Sequence, residues 1–142
     1  MSLWHQAPTL EQLNGFSKNN MNAHLGIEVT SILDDALVGT MPVDHRTKQP
    51  YGILHGGASV VLAETLGSMA GGLCVDPDKH YVVGLDINAN HLRSVTSGTV
   101  TGKASPIHIG RSTQVWNIEI TDEQGRKVCI SRLTLAVLEK PA

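Results

Sequence analysis

His55, Gly56, Gly57 and Glu64 fall within one short stretch, and their types suit attack on a carbonyl carbon. At neutral pH a glutamate is ionised, so it can take a proton from water or attack as a nucleophile itself. The Gly-Gly pair stands where a long apolar run begins. Backbone N–H groups at a helix start, at the positive end of its dipole, can polarise a carbonyl and hold an oxyanion. Ser68 comes one helical turn after Glu64 on the same face, where it can bind water or the carboxylate, or simply let the helix pack closely. His55 can hydrogen-bond a substrate oxygen or hold the loop.

These residues need a frame. From His55 to Val75 the chain is apolar almost all round and carries one formal charge, Glu64. A helix apolar on every side is expected to be buried. Burial would lift a carboxylate pKa toward general-base strength. A structural ion pair with a lysine or arginine is the competing role for Glu64.

Before this helix, Thr9 and Gln12 have capping-box spacing, which predicts a helix over residues 9–19 facing the core through Leu10, Leu13 and Phe16. Leu25, Ile27 and Val29 alternate with polar residues, predicting a strand over 24–33. A turn at Asp34-Asp35 and a returning strand over 36–43 complete a hairpin. Residues 44–54 read as a polar loop leading into the long helix. After the turn Asp76-Pro77-Asp78-Lys79 come strands near 80–93, 98–108, 112–122 and 126–139, expected as an antiparallel meander. One apolar helix and about six strands imply an α+β fold in which the sheet wraps the helix.

Composition narrows the functional classes. With 142 residues the chain makes one domain, 1–142, and its net charge of −2 gives no basic field for nucleic acid. Cys74 and Cys129 lie in apolar surroundings without metal-ligand spacing, so two free thiols and a reducing cytoplasm are expected, with no metal and no cofactor. No secretory signal opens the chain, and five glycines with Glu64 and His55 argue against a membrane span for residues 55–75. His91, Arg93 and Arg111 sit at strand ends, where they suit phosphates or are plain solvated charges.

The order of segments resembles one family. Met41-Pro42-Val43-Asp44, Arg46-Thr47-Lys48-Gln49-Pro50, Gly52-Ile53-Leu54-His55-Gly56-Gly57-Ala58-Ser59, Leu62-Ala63-Glu64, Gly67-Ser68, Val82-Val83-Gly84-Leu85, Ile87-Asn88-Ala89-Asn90-His91 and Pro106-Ile107-His108-Ile109-Gly110-Arg111 are similar to the hotdog-fold acyl-CoA thioesterases. The likeness is to the bacterial branch acting on aromatic acyl-CoA and carrier-protein thioesters, whose members serve menaquinone and enterobactin synthesis.

The resemblance implies hydrolysis of an acyl-CoA or acyl carrier protein thioester, with Glu64 as base or nucleophile and the Gly56 N–H on the carbonyl oxygen. His55, Gln49 and Ser68 complete the implied catalytic set. It implies that Gly84, His91, Leu92, Arg93, Ser94, His108, Ile109, Gly110, Arg111, Ser112 and Thr113 line the coenzyme A path. It also implies a homo-oligomer joined sheet edge to sheet edge, with active sites at the junction and dimers pairing into tetramers. A hotdog hydratase or dehydratase, and a non-catalytic acyl-CoA-binding protein, are the competing classes. The His-Gly-Gly to Glu spacing favours the thioesterases.

Overall fold

The computed structural model describes residues 2–142. The capping box forms: Gln12 N–H donates to Thr9 Oγ1 at 3.1 Å and Thr9 N–H donates to Gln12 Oε1 at 3.0 Å. Helix α1 spans only Leu10–Gly15, however, and a second helix, α2, spans Met21–His24. Between them Asn19 takes a left-handed φ of 54°, which asparagine tolerates, and Asn20 caps α2. The single helix expected over 9–19 is thus broken in two. Of its apolar residues only Leu13 is buried, while Phe16 is 66% exposed. So short a helix touches the core at one point. The Asn14 side chain fixes it there, accepting from Val29 N–H at 2.8 Å and donating to Val29 C=O at 2.9 Å.

Strand β1 (Glu28–Ile32) starts later than the alternation suggests, because α2 and the turn at Gly26 occupy the preceding residues. It pairs antiparallel with β2 (Leu37–Pro42). Helix α3 (Gly56–Leu73) follows the loop. Strands β3 (His80–His91), β4 (Thr99–Ile109), β5 (Thr113–Thr121) and β6 (Lys127–Glu139) lie close to their expected positions. All pairings are antiparallel, in one six-stranded sheet of order β1-β2-β4-β5-β6-β3.

The meander holds for β4, β5 and β6 but not for β3. Strand β2 occupies the edge of β4, pairing Leu37 with Ala104 through Pro42 with Thr99. Strand β3 therefore pairs with β6 and forms the far edge of the sheet, with Tyr81, Val83 and Leu85 exposed.

Helix α3 lies on the sheet and buries Leu62, Ala63, Leu66 and Ala70 against Trp116, Ile118, Leu133 and Leu135. The approach is close. A Cβ at Gly39 or Gly102 would come within 2.7 or 2.8 Å of the Leu66 methyls, so glycine on those strands makes room for the helix. Among the described residues no helix is long and apolar enough to cross a membrane.

Candidate active site

The loop before α3 is built on short-range bonds. Thr47, buried, donates from Oγ1 to the Pro42 carbonyl at 2.7 Å, and Asp44 pairs with Arg46 at 2.7 Å. That guanidinium, with the Arg46 backbone N–H, holds the Asp44 carboxyl well below the usual carboxylate range. His55 N–H donates to Thr47 C=O at 2.8 Å, and Leu54 N–H to Val95 C=O at 2.8 Å, which seats the helix start. The Gln49 side-chain oxygen accepts from Tyr51 N–H.

His55 is the N-cap of α3. Its Nδ1 accepts from Gly57 N–H at 2.8 Å. An accepting Nδ1 carries no proton, so in the neutral ring the proton sits on Nε2, free to donate. Ala58 and Ser59 N–H both bond to His55 C=O. Among the described residues, only the first N–H of the helix, that of Gly56, is left without a protein acceptor. It sits at the positive end of an 18-residue helix.

This helix start opens on a cavity of about 350 Å³ lined by Gln49, Ile53, Leu54, Gly56, Ser59, His91, Leu92, Arg93, Ser94 and Val128. Six residues expected to act in catalysis or binding thus meet here. The His91 ring covers Gly56 so closely that a Cβ there would lie 2.8 Å from His91 Nε2. Ser59 escaped the sequence analysis. It is fully buried one turn after Gly56, and the only signal was a hydroxyl inside an apolar run.

Glu64 lies elsewhere on the helix. It faces β3, where a Cβ at Gly84 would lie 2.7 Å from Glu64 Oε2. It is half-buried rather than fully enclosed, because the edge strand β3 covers only one side of it. Among the described residues it makes no ion pair within the chain. Ser68, a turn further on, lines a second cavity of about 450 Å³ with His5, Gln6, Leu13, Phe16, Met69, Gly72, Leu73, Val75 and Pro77.

The remaining expected residues sit at the opposite end of α3. Ile109, Gly110 and Arg111 line a third cavity of about 440 Å³ with His5, Cys74, Val75, Asp76, Lys79, His80, Gln114 and Val137. His108, Ser112 and Thr113 complete that hairpin, closed by Gly110 N–H to Thr113 C=O at 2.8 Å. Within one chain they do not join Gly56. Cys74 is a free thiol, pushed up to about 12 by burial, and Cys129 is free and buried.

An antiparallel six-stranded sheet packed on one long helix is the hotdog fold. Residues 51–129 match the thioesterase superfamily, and the chain belongs to that family. It is 56% identical over 136 residues to the 1,4-dihydroxy-2-naphthoyl-CoA hydrolase of Escherichia coli, covering 96% of this chain and 99% of that one. It is 54% identical over 136 residues to the proofreading thioesterase EntH of Cronobacter turicensis, covering 96% and 98%. A crystal structure of a mutant thioesterase from Pseudomonas aeruginosa superposes with a TM-score of 0.97 at 55% identity, over 98% of this chain and 100% of that chain. The protein is a thioester hydrolase.

Proposed function

We propose that the protein hydrolyses aromatic acyl-CoA thioesters at a site shared between two subunits, with Glu64 of one and Gly56 of the other acting on the same carbonyl. The observation that carries this is a distance. Eight residues of helix separate Gly56 from Glu64, about 12 Å of rise, whereas both groups must come within about 3 Å of the reacting atoms. Within one chain the two groups also face different ends of β3, Gly56 the His91 ring and Glu64 Gly84.

Strand β3 offers the means. Its outer edge is unpaired, with Tyr81, Val83 and Leu85 exposed along its first half and Asp86, Asn88 and Asn90 along its second, and such edges are normally covered. Two-fold antiparallel pairing of β3 with its copy, centred on Asn88, sets Gly84 opposite the partner's His91, because the bulge between Gly84 and Asp86 takes up one residue. Glu64 lies against Gly84 and Gly56 against His91, so the pairing unites the two groups twice. It also carries the His108–Thr113 hairpin toward the partner's Arg93, giving coenzyme A a path lined by both chains. Pairing of two such dimers into a tetramer is consistent with this arrangement.

In the reaction Glu64 takes a proton from water as the water oxygen adds to the thioester carbon. The Gly56 N–H, with His55 Nε2–H, holds the oxyanion. Gln49 orients the thioester, and Ser68 lies on the Glu64 side of the acyl cavity. Collapse breaks the C–S bond, and the sulfur leaves with the proton held by Glu64, giving acid and free thiol. Direct attack by Glu64 to give a mixed anhydride, later hydrolysed, uses the same groups. The 450 Å³ cavity beside Ser68 takes the acyl group, being walled by Leu13, Phe16, Met69 and Leu73. Its size suits one aryl group, in keeping with the naphthoyl substrate in the name of the Escherichia coli relative. Acyl carrier protein thioesters present the same acyl and pantetheine parts.

Free-thiol release from a panel of aromatic and aliphatic acyl-CoAs tests this. Glu64→Ala is expected to lose at least about a hundredfold in kcat. Mixing Glu64→Ala subunits with subunits disabled at Gly56 is expected to restore activity, because one of the two junction sites is then intact. Equal rates in wild type and Glu64→Ala would overturn the mechanism. No recovery on verified subunit exchange would overturn the shared site.

A further inference from the structure

The acyl cavity and the third cavity share two wall residues, His5 and Val75. Val75 belongs to the segment that ends α3. His5 belongs to the N-terminal segment, which no step of the reaction uses. We infer that the His5 ring is the end wall of the acyl cavity and sets the longest acyl group the enzyme accepts. This rests on the assignment of the 450 Å³ cavity to the acyl group.

The backbone under His5 is fixed independently of its ring. Leu3 N–H donates to Asp34 C=O at 2.8 Å, Trp4 Nε1–H to Leu33 C=O at 2.8 Å, and His5 N–H to Leu73 C=O at 2.7 Å. The segment is therefore strapped across the end of α3, and His5 is presented from a rigid support. The ring itself is held only loosely, its Nε2 lying 3.9 Å from Asp76 Oδ1 with the side chain 40% exposed. Trimming the ring removes a wall and leaves the strap. Beyond it the third cavity offers about 440 Å³ walled in part by Cys74, Ile109 and Val137. A ligand that meets a side chain at the end of an apolar pocket is discriminated by size. One methylene more or less is worth roughly tenfold to a few hundredfold in kcat/KM.

The test is a chain-length profile of kcat/KM by thiol release, from butanoyl- to hexadecanoyl-CoA, with benzoyl- and biphenylcarbonyl-CoA as the aryl pair. Variants are His5→Ala and His5→Trp. Phe16→Ala, an exposed wall of the same cavity, serves as control for the acyl assignment. His5→Ala is expected to raise the long-to-short ratio by at least about tenfold, and His5→Trp to lower it. If the Phe16 variant changes the acyl profile but both His5 variants keep the wild-type ratio, the end-wall role is wrong and the acyl assignment stands. If none of the three changes it, the acyl group lies elsewhere and the inference falls with that assignment. Thermal melts confirm that each variant is folded.

Discussion

In the proposed reaction the start of α3 contributes a backbone group, whereas its middle contributes one side chain. The Gly56 N–H is a donor because a helix begins there and His55 satisfies the next N–H instead. Any residue at position 56 except proline would supply that donor. Glycine is demanded by the His91 ring packed over it. Glu64 is the reverse case. In the proposed mechanism the carboxylate has no substitute, while the helix around it is ordinary. Among the described residues no lysine or arginine pairs with it, and Gly84 leaves room beside it. In that mechanism one region works through geometry that many sequences can provide, the other through a single functional group.

The contrast can be broken most severely at Gly56. In a His91→Ala background, which clears the covering ring, Gly56→Ala retains the N–H and Gly56→Pro removes it. Proline is tolerated at the first helical position. The proline variant is expected to lose about 10²–10³ in kcat relative to the alanine variant, the usual worth of one oxyanion donor. Equal turnover of the two would show that the backbone at this end does no chemistry.

Gly84→Ala sharpens the other side. The added methyl would lie 2.7 Å from Glu64 Oε2 and must push the carboxylate aside. A kcat loss of about ten- to a hundredfold is expected with unchanged folding, because small misplacements of a catalytic group cost that much. Unaltered kcat would mean that the carboxylate's position against β3 is not the working one.

His55→Ala separates capping from catalysis. Loss of the bond from Gly57 N–H is expected to lower stability by about 1 kcal/mol, a few degrees in melting temperature. His55→Asn, which can cap but places no Nε2–H, is expected to regain the stability without the turnover.

The smallest effect belongs to Asp44→Asn in the loop that seats the helix start. Arg46 depresses the folded pKa of Asp44, so its contribution to stability is present above the unfolded value near about 4 and is lost as pH falls through the folded one. The melting-temperature gap between wild type and Asp44→Asn is therefore expected to be greatest at neutral pH and to close below about pH 4. A gap that widened in acid would contradict the pairing.

Much of this was legible from local pattern. Thr9 and Gln12 form their capping box, the run after His55 is one helix, and the last four strands lie where alternation and turn residues set them. Helix α1 was overestimated because Leu10 and Phe16 keep a helical spacing that the chain does not use. The strand order was missed because periodicity identifies a strand but not its neighbour. Only the occupation of β4 by β2 sends β3 to the far edge.

The sequence by itself determined which groups could act, since a lone glutamate in an apolar helix and a Gly-Gly pair after a histidine are matters of residue type and spacing. It also called for the helix to be covered, because so apolar a surface is costly in water, and the strands cover one face of it. Tertiary structure decided how exposed Glu64 is, that no cation among the described residues pairs with it, and that His91 lies over Gly56 while Gly84 lies against Glu64. It also put Gly56 and the His108–Thr113 hairpin at opposite ends of α3. These are contacts between residues distant in the chain, fixed by strand order and by the helix's path across the sheet, and local spacing carries no record of them.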